Sequence, residues 1–304
     1  MKRQLLRIVQ PVADCFSKLA IQRRFIRQSR KQFEVPQDTP MGFKLAGNKA
    51  MQAGEFEPEE TRIVKQVLGH VEIVINVGAN IGYYCCLALA REKYVVAFEP
   101  MVQNLHYLLR NIKANHWESK IEIFPLALSE KVGVLEIYGG GTGASLVKGW
   151  AGTPAHHVTL VPSTTLDVAL GTRFSGKPCL MLVDIEGAEQ SMLEGASFFL
   201  GMSPKPVWLV EVSISEHQPS GIKINPNLLS TFDVFWNHGY EAWTADSTRR
   251  MIQPDEIKQI VRSGVDTLHT HNFLFIEKNR RDEFLGELSS EGSDALPAKE
   301  PYTK

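Results

Sequence analysis

The feature that most constrains the fold is a repeated alternation of apolar runs and amphipathic segments between residues 61 and 278. The apolar runs indicate buried strands, and segments with apolar residues three and four positions apart indicate helices. Strands that alternate with helices form βαβ units around a mostly parallel sheet. The sequence therefore predicts one doubly wound α/β domain. The predicted strands cover 71–77, 94–99, 121–127, 179–185, 207–212, 241–245 and 273–278, and the predicted helices after the first cover 81–91, 101–115, 187–200 and 226–237.

Three regions depart from this alternation. Residues 128–166 contain several glycines between β-type runs and indicate a β-rich insertion. Residues 32–60 are rich in Gly, Pro and polar residues, which predicts a lead-in of turns with a small hairpin. The polar residues 279–304 predict a disordered tail. The expected division is therefore 1–60 for an N-terminal helix and lead-in, 61–278 for the domain, and a tail.

The first 31 residues are basic and amphipathic. They hold nine basic residues and one acid, and residues 4–19 place apolar side chains at three- and four-residue steps. Pro11 predicts a kink in this helix. We expect the helix to pack on the domain or on a partner subunit, with peripheral contact to an anionic membrane as the alternative. The sequence does not indicate an oligomeric state.

Charge and composition exclude several classes of function. Residues 32–304 hold 24 basic and 33 acidic residues, so the body of the protein is a poor partner for nucleic acid. The four cysteines lack the spacing of a zinc site, which favours free buried thiols in a reducing compartment. No run of about 18 apolar residues occurs, so no membrane-spanning helix is predicted. Charged residues interrupt the apolar stretch that a secretory signal would need near the N-terminus, so a secretory signal is not predicted either. A cytoplasmic location is therefore expected.

Two features at the ends of neighbouring strands indicate nucleoside binding. Residues 76–82, Asn-Val-Gly-Ala-Asn-Ile-Gly, close the first strand and open a helix. Gly78 and Gly82 allow a tight turn and close approach to a ligand, and the helix start is expected to present free N–H groups. Glu99 follows Gly78 by 21 residues, near the spacing at which an acid accepts both ribose hydroxyls. The glycines do not form a dinucleotide-binding pattern, which disfavours NAD.

Further site residues are expected where the later strands end, because ligands of doubly wound sheets bind there. Ala127 would lie beside the base of the nucleoside. Asp184, Glu186, Glu211 and His217 could accept a proton from a substrate. Each also has a structural explanation: core packing for the alanine, a favourable helix dipole for the acids, and simple surface exposure for the histidine.

A metal site is the remaining alternative for the acids. Asp184, Glu186 and Glu211 could converge on a hard cation, which prefers oxygen ligands. His269 and His271 share one face of a strand, but no further ligand lies near them in the sequence. The spacing requires neither site, so no metal is predicted.

These segments, in this order, resemble the FkbM family of methyltransferases. The resemblance covers about residues 54–278 and implies a Rossmann-like class I methyltransferase fold with an antiparallel last strand. It also implies S-adenosylmethionine as the methyl donor and, commonly, O-methylation of natural products or sugars. The motifs that carry it are GEFEPEE, NVGANIGYY, FEPMVQNLHYLLRNI, PLALSEKVG, TLDVAL and VDIEGAEQSMLEGA, followed by the VWLVEV strand.

The resemblance implies roles for single residues as well. The glycine turn would border the methionine part of the donor, Glu99 would hold the ribose, and Asp184 and Glu186 would lie at the reaction centre. The family usually has an aspartate where Asn76 stands, so one negative charge is missing. The residues expected to hold the donor are Asn76, Gly78, Asn80, Gly82, Glu99, Pro100, Asn104, Ala127 and Asp184.

The sequence therefore predicts in-line methyl transfer to a hydroxyl oxygen of a small molecule, saccharide or natural product. Asp184 is the leading base or orienting residue, followed by Glu211 and His217. A nucleoside-binding protein that has lost transfer activity and an NAD-dependent oxidoreductase remain as alternative functions. The acceptor itself is not indicated.

Overall fold

The computed structural model describes residues 34–285, which contain one large sheet and two small ones. The strands are β1 (Gln37–Asp38), β2 (Lys44–Leu45), β3 (Ile73–Val77), β4 (Tyr94–Phe98), β5 (Ile121–Phe124), β6 (Ala127–Leu128), β7 (Gly133–Tyr138), β8 (Val158–Thr164), β9 (Cys179–Val183), β10 (Val207–Glu211), β11 (Tyr240–Thr244), β12 (Met251–Ile252) and β13 (Asn272–Glu277). The helices are α1 (Lys49–Ala53), α2 (Pro58–Val67), α3 (Tyr83–Leu89), α4 (Val102–Ala114), α5 (Leu166–Leu170), α6 (Glu189–Glu194), α7 (Ser197–Gly201), α8 (Leu228–Asn237), α9 (Pro254–Ser263) and α10 (Arg281–Leu285).

The large sheet has eight strands in the order β12-β11-β13-β10-β9-β3-β4-β5. The neighbours from β10 to β5 pair in parallel, whereas β13 is antiparallel to both β10 and β11. The order reverses at β3, which is flanked by β4 on one side and β9 on the other. This topology confirms the Rossmann-like class I methyltransferase fold, including its antiparallel last strand.

Alternate residues of the sheet enter two separate cores, as the two-residue period of a strand requires. In β3, Ile73, Ile75 and Val77 pack among helices α5 to α9, while Val74 faces helices α1 to α4. Helices therefore cover both faces of the sheet, which explains why its central strands are apolar at nearly every position, with Asn76 and Glu211 as exceptions.

The predicted β-rich insertion is confirmed as a three-stranded sheet in the order β6-β8-β7. It packs on the main domain through a small cluster that contains Met101, Ala127, Ile137 and Val161. Because Met101 and Ala127 follow β4 and β5, this cluster holds the insertion beside the carboxyl edge of the large sheet.

Two helical predictions need correction. The single helix expected over 187–200 is broken into α6 and α7 at Gly195, where an added Cβ would lie 2.4 Å from the carbonyl oxygen of Ser129. Helix α9 was not predicted, although Pro254 at its start, two acids in its first turn and Gly264 after its end are ordinary boundary signals.

The lead-in contains the predicted hairpin, β1 paired with β2, and also the short helix α1. Phe43, Leu45 and Met51 are buried in the same cluster as α2 and α3. The side chain of Asn111 on α4 accepts from Ala46 N at 2.7 Å and donates to Ala46 O at 3.1 Å. The expected boundary at residue 61 therefore does not coincide with a break in packing.

The first residues of the expected tail are also structured. Helix α10 buries Phe284, whose ring packs edge-on against His70 with 5.4 Å between ring centroids. The rest of the expected tail and the expected helix over 4–19, with its proposed membrane contact, lie outside the described residues. Within 34–285, no helix has both the length and the apolarity that crossing a bilayer requires.

Candidate active site

The ends of β3 and β9 approach each other closely at the point where the strand order reverses. Gly78 follows β3 with φ +81°, and a Cβ built on it would lie 1.8 Å from the carbonyl oxygen of Asp184. Asp184 N also donates to Val77 O at 3.1 Å. Glycine is therefore required here by contact between two strand ends, in addition to any need for close approach by a ligand.

The N–H groups of the turn after β3 are used within the protein. Gly78 N and Ala79 N both donate to Phe98 O, at 3.0 and 2.9 Å. Asn80 N donates to Glu99 Oε2 at 2.8 Å, and Gly82 N donates to Ala79 O at 2.9 Å. The turn itself therefore offers few free donors, because Phe98 and Glu99 at the end of β4 accept from three of these four N–H groups and Ala79 O accepts from the fourth. The predicted free N–H groups belong to the start of α3 at Tyr83 and stay a prediction.

Gly82 has a packing role. It precedes α3 with φ +90°, and an added Cβ would lie 2.4 Å from Leu108 Cδ1 on α4. The glycine thus lets α3 and α4 approach each other. Gly82 lines neither of the two cavities described below, so its expected contact with a donor is not supported by its position.

Glu99 is buried at the end of β4, with only 3% of its surface exposed. Its Oε1 accepts from Met101 N at 2.8 Å and from Asn104 Nδ2 at 3.2 Å, and its Oε2 accepts from Asn80 N at 2.8 Å. Burial raises the pKa of Glu99, and these hydrogen bonds partly oppose that rise. A carboxylate has about four acceptor positions, so it can still accept from a ligand hydroxyl.

A first cavity opens between this glutamate and the insertion. One wall is polar and carries Glu99 and Asn104, while the rest is largely apolar. Asn104 Nδ2 also donates to Gly141 O at 3.0 Å, which ties the insertion to this wall. Of the expected site residues, the cavity brings together Gly78, Asn80, Glu99, Pro100, Asn104, Ala127, Asp184 and Glu186, and Leu126, Leu128 and Ile137 also line it.

A second cavity lies on the other side of Gly78 and shares Gly78, Asn80 and Asp184 with the first. Two further expected site residues, Asn76 and Glu211, line it, and the remaining residues on its walls were not predicted. These others come mainly from α2, α3, β10 and β13 and include Phe56, Glu57, Glu60, Tyr83, Tyr84, Leu209 and Asn272.

Two carboxylates at adjacent strand ends share this second cavity. Asp184 lines the cavity from the end of β9 and keeps part of its surface exposed, and Glu211 lines it from the end of β10. Burial raises the pKa of Asp184 well above its usual range, and the Glu186 carboxylate raises it further. Burial and the charge of Asp184 together raise the pKa of Glu211 to about 10. The pair therefore retains a proton at neutral pH in the ligand-free protein.

The sequence profile of the Methyltransferase FkbM domain matches residues 76–242, which is more than half of the chain. The chain belongs to the FkbM methyltransferase family. No curated protein matches it significantly.

Solved structures of methyltransferases resemble this FkbM protein only distantly. A methyltransferase FkbM from Methylobacillus flagellatus KT is 18% identical with a TM-score of 0.41, and the match covers 68% of this chain and 44% of that one. A precorrin-6y C5,15-methyltransferase from Geobacter metallireducens GS-15 is 11% identical with a TM-score of 0.38, covering 65% of this chain and 78% of that one. Such TM-scores add nothing to what the strand order shows.

We expect Glu211→Gln to stabilise the ligand-free FkbM protein at pH 8. The pKa of Glu211 is raised from 4.5 to about 10 on folding, so the folded state keeps a proton that the unfolded state releases. Stability therefore falls as pH rises from about 4.5 towards 10, and the substitution removes this loss. Each tenfold change in the protonation equilibrium is worth about 1.4 kcal/mol.

Melting temperatures measured from pH 4 to pH 9 check this expectation, with the exposed Glu118→Gln as the matched control. The Glu211→Gln variant should melt above the wild-type protein at pH 8, and the difference should shrink towards pH 4. A variant that melts lower than the wild-type protein at pH 8 would contradict the assignment of a retained proton to this residue.

A tryptophan from the insertion holds Glu186 in the FkbM protein. Trp150 Nε1 donates to Glu186 Oε2 at 2.7 Å, and Ser145 Oγ donates to Glu186 O at 2.5 Å. The indole also packs on Gly187, where an added Cβ would lie 2.5 Å from the ring. Glu186 has φ +55°, a conformation that a non-glycine residue keeps only when its surroundings fix it. Trp150 is thus the main restraint on a carboxylate that lines the first cavity.

We expect Trp150→Phe to lower the free energy of unfolding by about 1–2 kcal/mol, because the ring contact remains while a hydrogen bond to a carboxylate is lost. Urea denaturation measures this difference. Trp236→Phe is the matched control, since Trp236 is partly buried and its indole donates to none of the described residues. Equal losses in the two variants would show that the indole N–H of Trp150 contributes nothing.

His217 is placed apart from both cavities. It is exposed, its carbonyl accepts from Ala151 N at 2.7 Å, and its ring lies 6.0 Å from that of Trp150. The structure therefore does not place it where it could take a proton from a ligand in either cavity. In the described part of the chain, no group of three or more His, Cys, Asp or Glu residues has the arrangement of a metal site.

Several residues in or next to the cavities of this family member were not predicted from the sequence. Glu57 and Glu60 lie within the GEFEPEE motif on which the family resemblance depends. The sequence therefore marked these two residues, but it did not indicate that they line a cavity. Trp150 and Asn272 lie far from the glycine turn in sequence, and no local pattern marks them. Only the folded chain brings them to the carboxyl edge of the sheet.

Proposed function

We propose that this FkbM protein is an S-adenosylmethionine-dependent methyltransferase that methylates a hydroxyl group of a small molecule, saccharide or natural product. The observation that carries the proposal is the anchored carboxylate of Glu99, which faces the first cavity 21 residues beyond Gly78. A buried acid held by three N–H donors presents its remaining lone pairs in a fixed direction, as recognition of ribose hydroxyls requires.

The lining of both cavities fits an adenosine that carries a charged sulfur. Leu126, Leu128 and Ile137 offer an apolar wall for the base on the same cavity as Glu99. Asp184 lines both cavities, so a cationic centre between them would lie beside a carboxylate. The absence of a side chain on Gly78 leaves room at the same junction. The residues that would hold the donor are therefore Gly78, Asn80, Glu99, Asn104, Ala127 and Asp184.

S-adenosylmethionine, when bound, supplies a methyl group activated by a sulfonium charge. The protein would contribute orientation and a place for the proton that the acceptor hydroxyl must lose. Asp184 is our first choice for the general base that accepts this proton, since its raised pKa makes it a stronger base than an ordinary carboxylate. Glu211, which shares the second cavity, is our second choice, and it would first have to release the proton that it retains in the ligand-free protein. His217 is not retained for this role because of its position.

Binding and transfer can be tested separately. Calorimetry with S-adenosylmethionine and S-adenosylhomocysteine measures uptake of the nucleoside, and a tritiated-methyl assay over sugars and hydroxylated small molecules measures transfer. The proposal expects both. Uptake without transfer would identify a binding protein, and NADH that competes with the donor would identify an oxidoreductase. Failure of the folded protein to take up either nucleoside would overturn the proposal.

A further inference from the structure

The chain that leaves β7 runs along one wall of the first cavity before it returns as β8. We call residues 139–152 of this segment the strap. Four residues of the strap line the cavity, namely Gly141, Thr142, Ala144 and Leu146. Gly141 O accepts from Asn104 Nδ2 at 3.0 Å, and the same amide nitrogen donates to Glu99 Oε1 at 3.2 Å. A nucleoside whose ribose binds Glu99 would therefore lie beside the strap.

Only two residues of the strap are buried, and both bond to Glu186. Ser145 Oγ donates to Glu186 O at 2.5 Å, and Trp150 Nε1 donates to Glu186 Oε2 at 2.7 Å. Ala144 and Leu146 add partly buried contacts with the apolar cluster of the insertion. Strands β7 and β8, in contrast, pair at six positions. Segments with few buried contacts open more readily than paired strands, so we expect the strap to open before the sheet of the insertion does.

Glycines allow the backbone to turn at both ends of the strap. Gly139 follows β7 with φ +87°, and Gly152 ends the strap with φ +71°. A Cβ added to Gly152 would meet no other atom within 4 Å, whereas Gly78 and Gly82 lie against neighbouring elements. Packing therefore does not explain Gly152. The glycine provides a left-handed turn with backbone freedom, which suits a hinge.

The contacts that close the strap are made by strained backbone. Ala151 N donates to His217 O at 2.7 Å, and these two residues have φ +48° and φ +60°. Glu186, which holds both buried residues of the strap, has φ +55°. Non-glycine residues keep this conformation only where their surroundings fix it, and such strain is concentrated at ligand clamps and switch regions. Strain in the closed state reduces the free energy that opening requires.

We propose that the strap opens and closes over the first cavity, with the hydrogen bond between Trp150 and Glu186 as its latch. Its role as a gate for the methyl donor rests on the proposed function. The closed strap would shield the bound nucleoside from bulk water, and the open strap would admit the donor and release the spent nucleoside after transfer. Trp150 lines neither cavity, so it would act on the gate without touching the nucleoside.

Amide hydrogen exchange of the full chain without ligand tests the motion. The amides of Ser145, Trp150 and Ala151 are hydrogen-bonded in the closed strap. We expect them to share one protection factor, at least about tenfold below that of β7 and β8. Trp150→Phe should lower this factor about tenfold, which corresponds to about 1.4 kcal/mol. Trp236→Phe, which lies outside the strap, should leave it unchanged. Protection equal to that of β7 and β8, or protection that Trp150→Phe does not change, would overturn the proposal.

The rates of nucleoside exchange test the gate. Stopped-flow measurements with S-adenosylhomocysteine give the association and dissociation rate constants. A latch controls passage in both directions, so Trp150→Phe should raise both constants about tenfold and change their ratio less than about threefold. Ser145→Ala, which removes the other bond to Glu186, should raise both constants as well. A higher dissociation rate with an unchanged association rate would mean that these residues only stabilise the bound nucleoside, and it would overturn the gate.

The two measurements separate this proposal from the proposed function. If the strap opens as expected and no nucleoside binds, the proposed function fails, whereas the opening of the strap is supported. If the nucleoside binds and neither variant changes its exchange rates, the proposed function stands and the gate is wrong. Both proposals are supported when the strap opens as one unit and both rate constants rise in both variants.

Discussion

Gly78→Ala is expected to lower the free energy of unfolding by about 3 kcal/mol or more. Two costs add at this position. The backbone has φ +81°, where an L side chain is strained by about 1–2 kcal/mol. The new Cβ would also lie 1.8 Å from Asp184 O, a backbone atom that two neighbouring strands hold in place. Relief of that contact requires β3 and β9 to separate.

Gly221→Ala is the control that isolates the second cost. Gly221 has φ +88°, but a Cβ added there would have no other atom within 4 Å, so only the conformational strain applies. Urea denaturation of both variants gives the difference, which we expect to exceed about 1.5 kcal/mol. If the two variants lose the same stability, the strand ends are not in the tight contact described above.

Glu99→Gln should reduce the affinity for S-adenosylhomocysteine about 100-fold. The change removes the charge that strengthens hydrogen bonds from ribose hydroxyls, and bonds to a charged group contribute about 1.5–3 kcal/mol each. It also turns an amide N–H₂ towards one of the N–H groups of Met101 and Asn80, which are both within 2.8 Å of the carboxylate. The fixed direction of the remaining acceptor is then lost.

Calorimetry at a temperature where the variant is fully folded measures this loss, and the unfolding curve of the same sample records any drop in stability. Glu118→Gln, an exposed change, should bind the nucleoside like the wild-type protein. An affinity within threefold of the wild-type value in Glu99→Gln would mean that Glu99 only fastens the turn after β3 to the start of α4. In that case the ribose would lie elsewhere.

The sequence predicted the large sheet because its signals are local. Each long strand is a short apolar run, and the parallel pairing of the central strands follows from the alternation with helices. Glu99 was predicted for the same reason, since a fixed spacing from Gly78 marks an acid at the next strand end. The sequence also predicted that the cysteines are free and buried, and Cys85, Cys86 and Cys179 confirm this, while Cys15 lies outside the described residues.

Contacts between distant segments could not be predicted in this way. The hydrogen bonds of the glycine turn depend on Phe98 O at the end of the neighbouring strand, which accepts from Gly78 N and Ala79 N and which no pattern near the turn reveals. Trp150 reaches Glu186 from 36 residues away, across an insertion whose fold depends on its own pairing. The packing role of Gly82 is likewise set by Leu108, which no pattern near the glycine reveals.

The burial of Phe43, Leu45 and Met51 beneath α2 and α3 has a practical consequence for work on this family member. A fragment trimmed to residues 76–242, where the family profile matches, would lack both this apolar cover and the β13 strand that pairs with β10. The segment that matches the family profile is therefore shorter than the segment that contains the complete hydrophobic core. Truncations meant to retain a native core should begin before the hairpin at Gln37 and extend past Phe284.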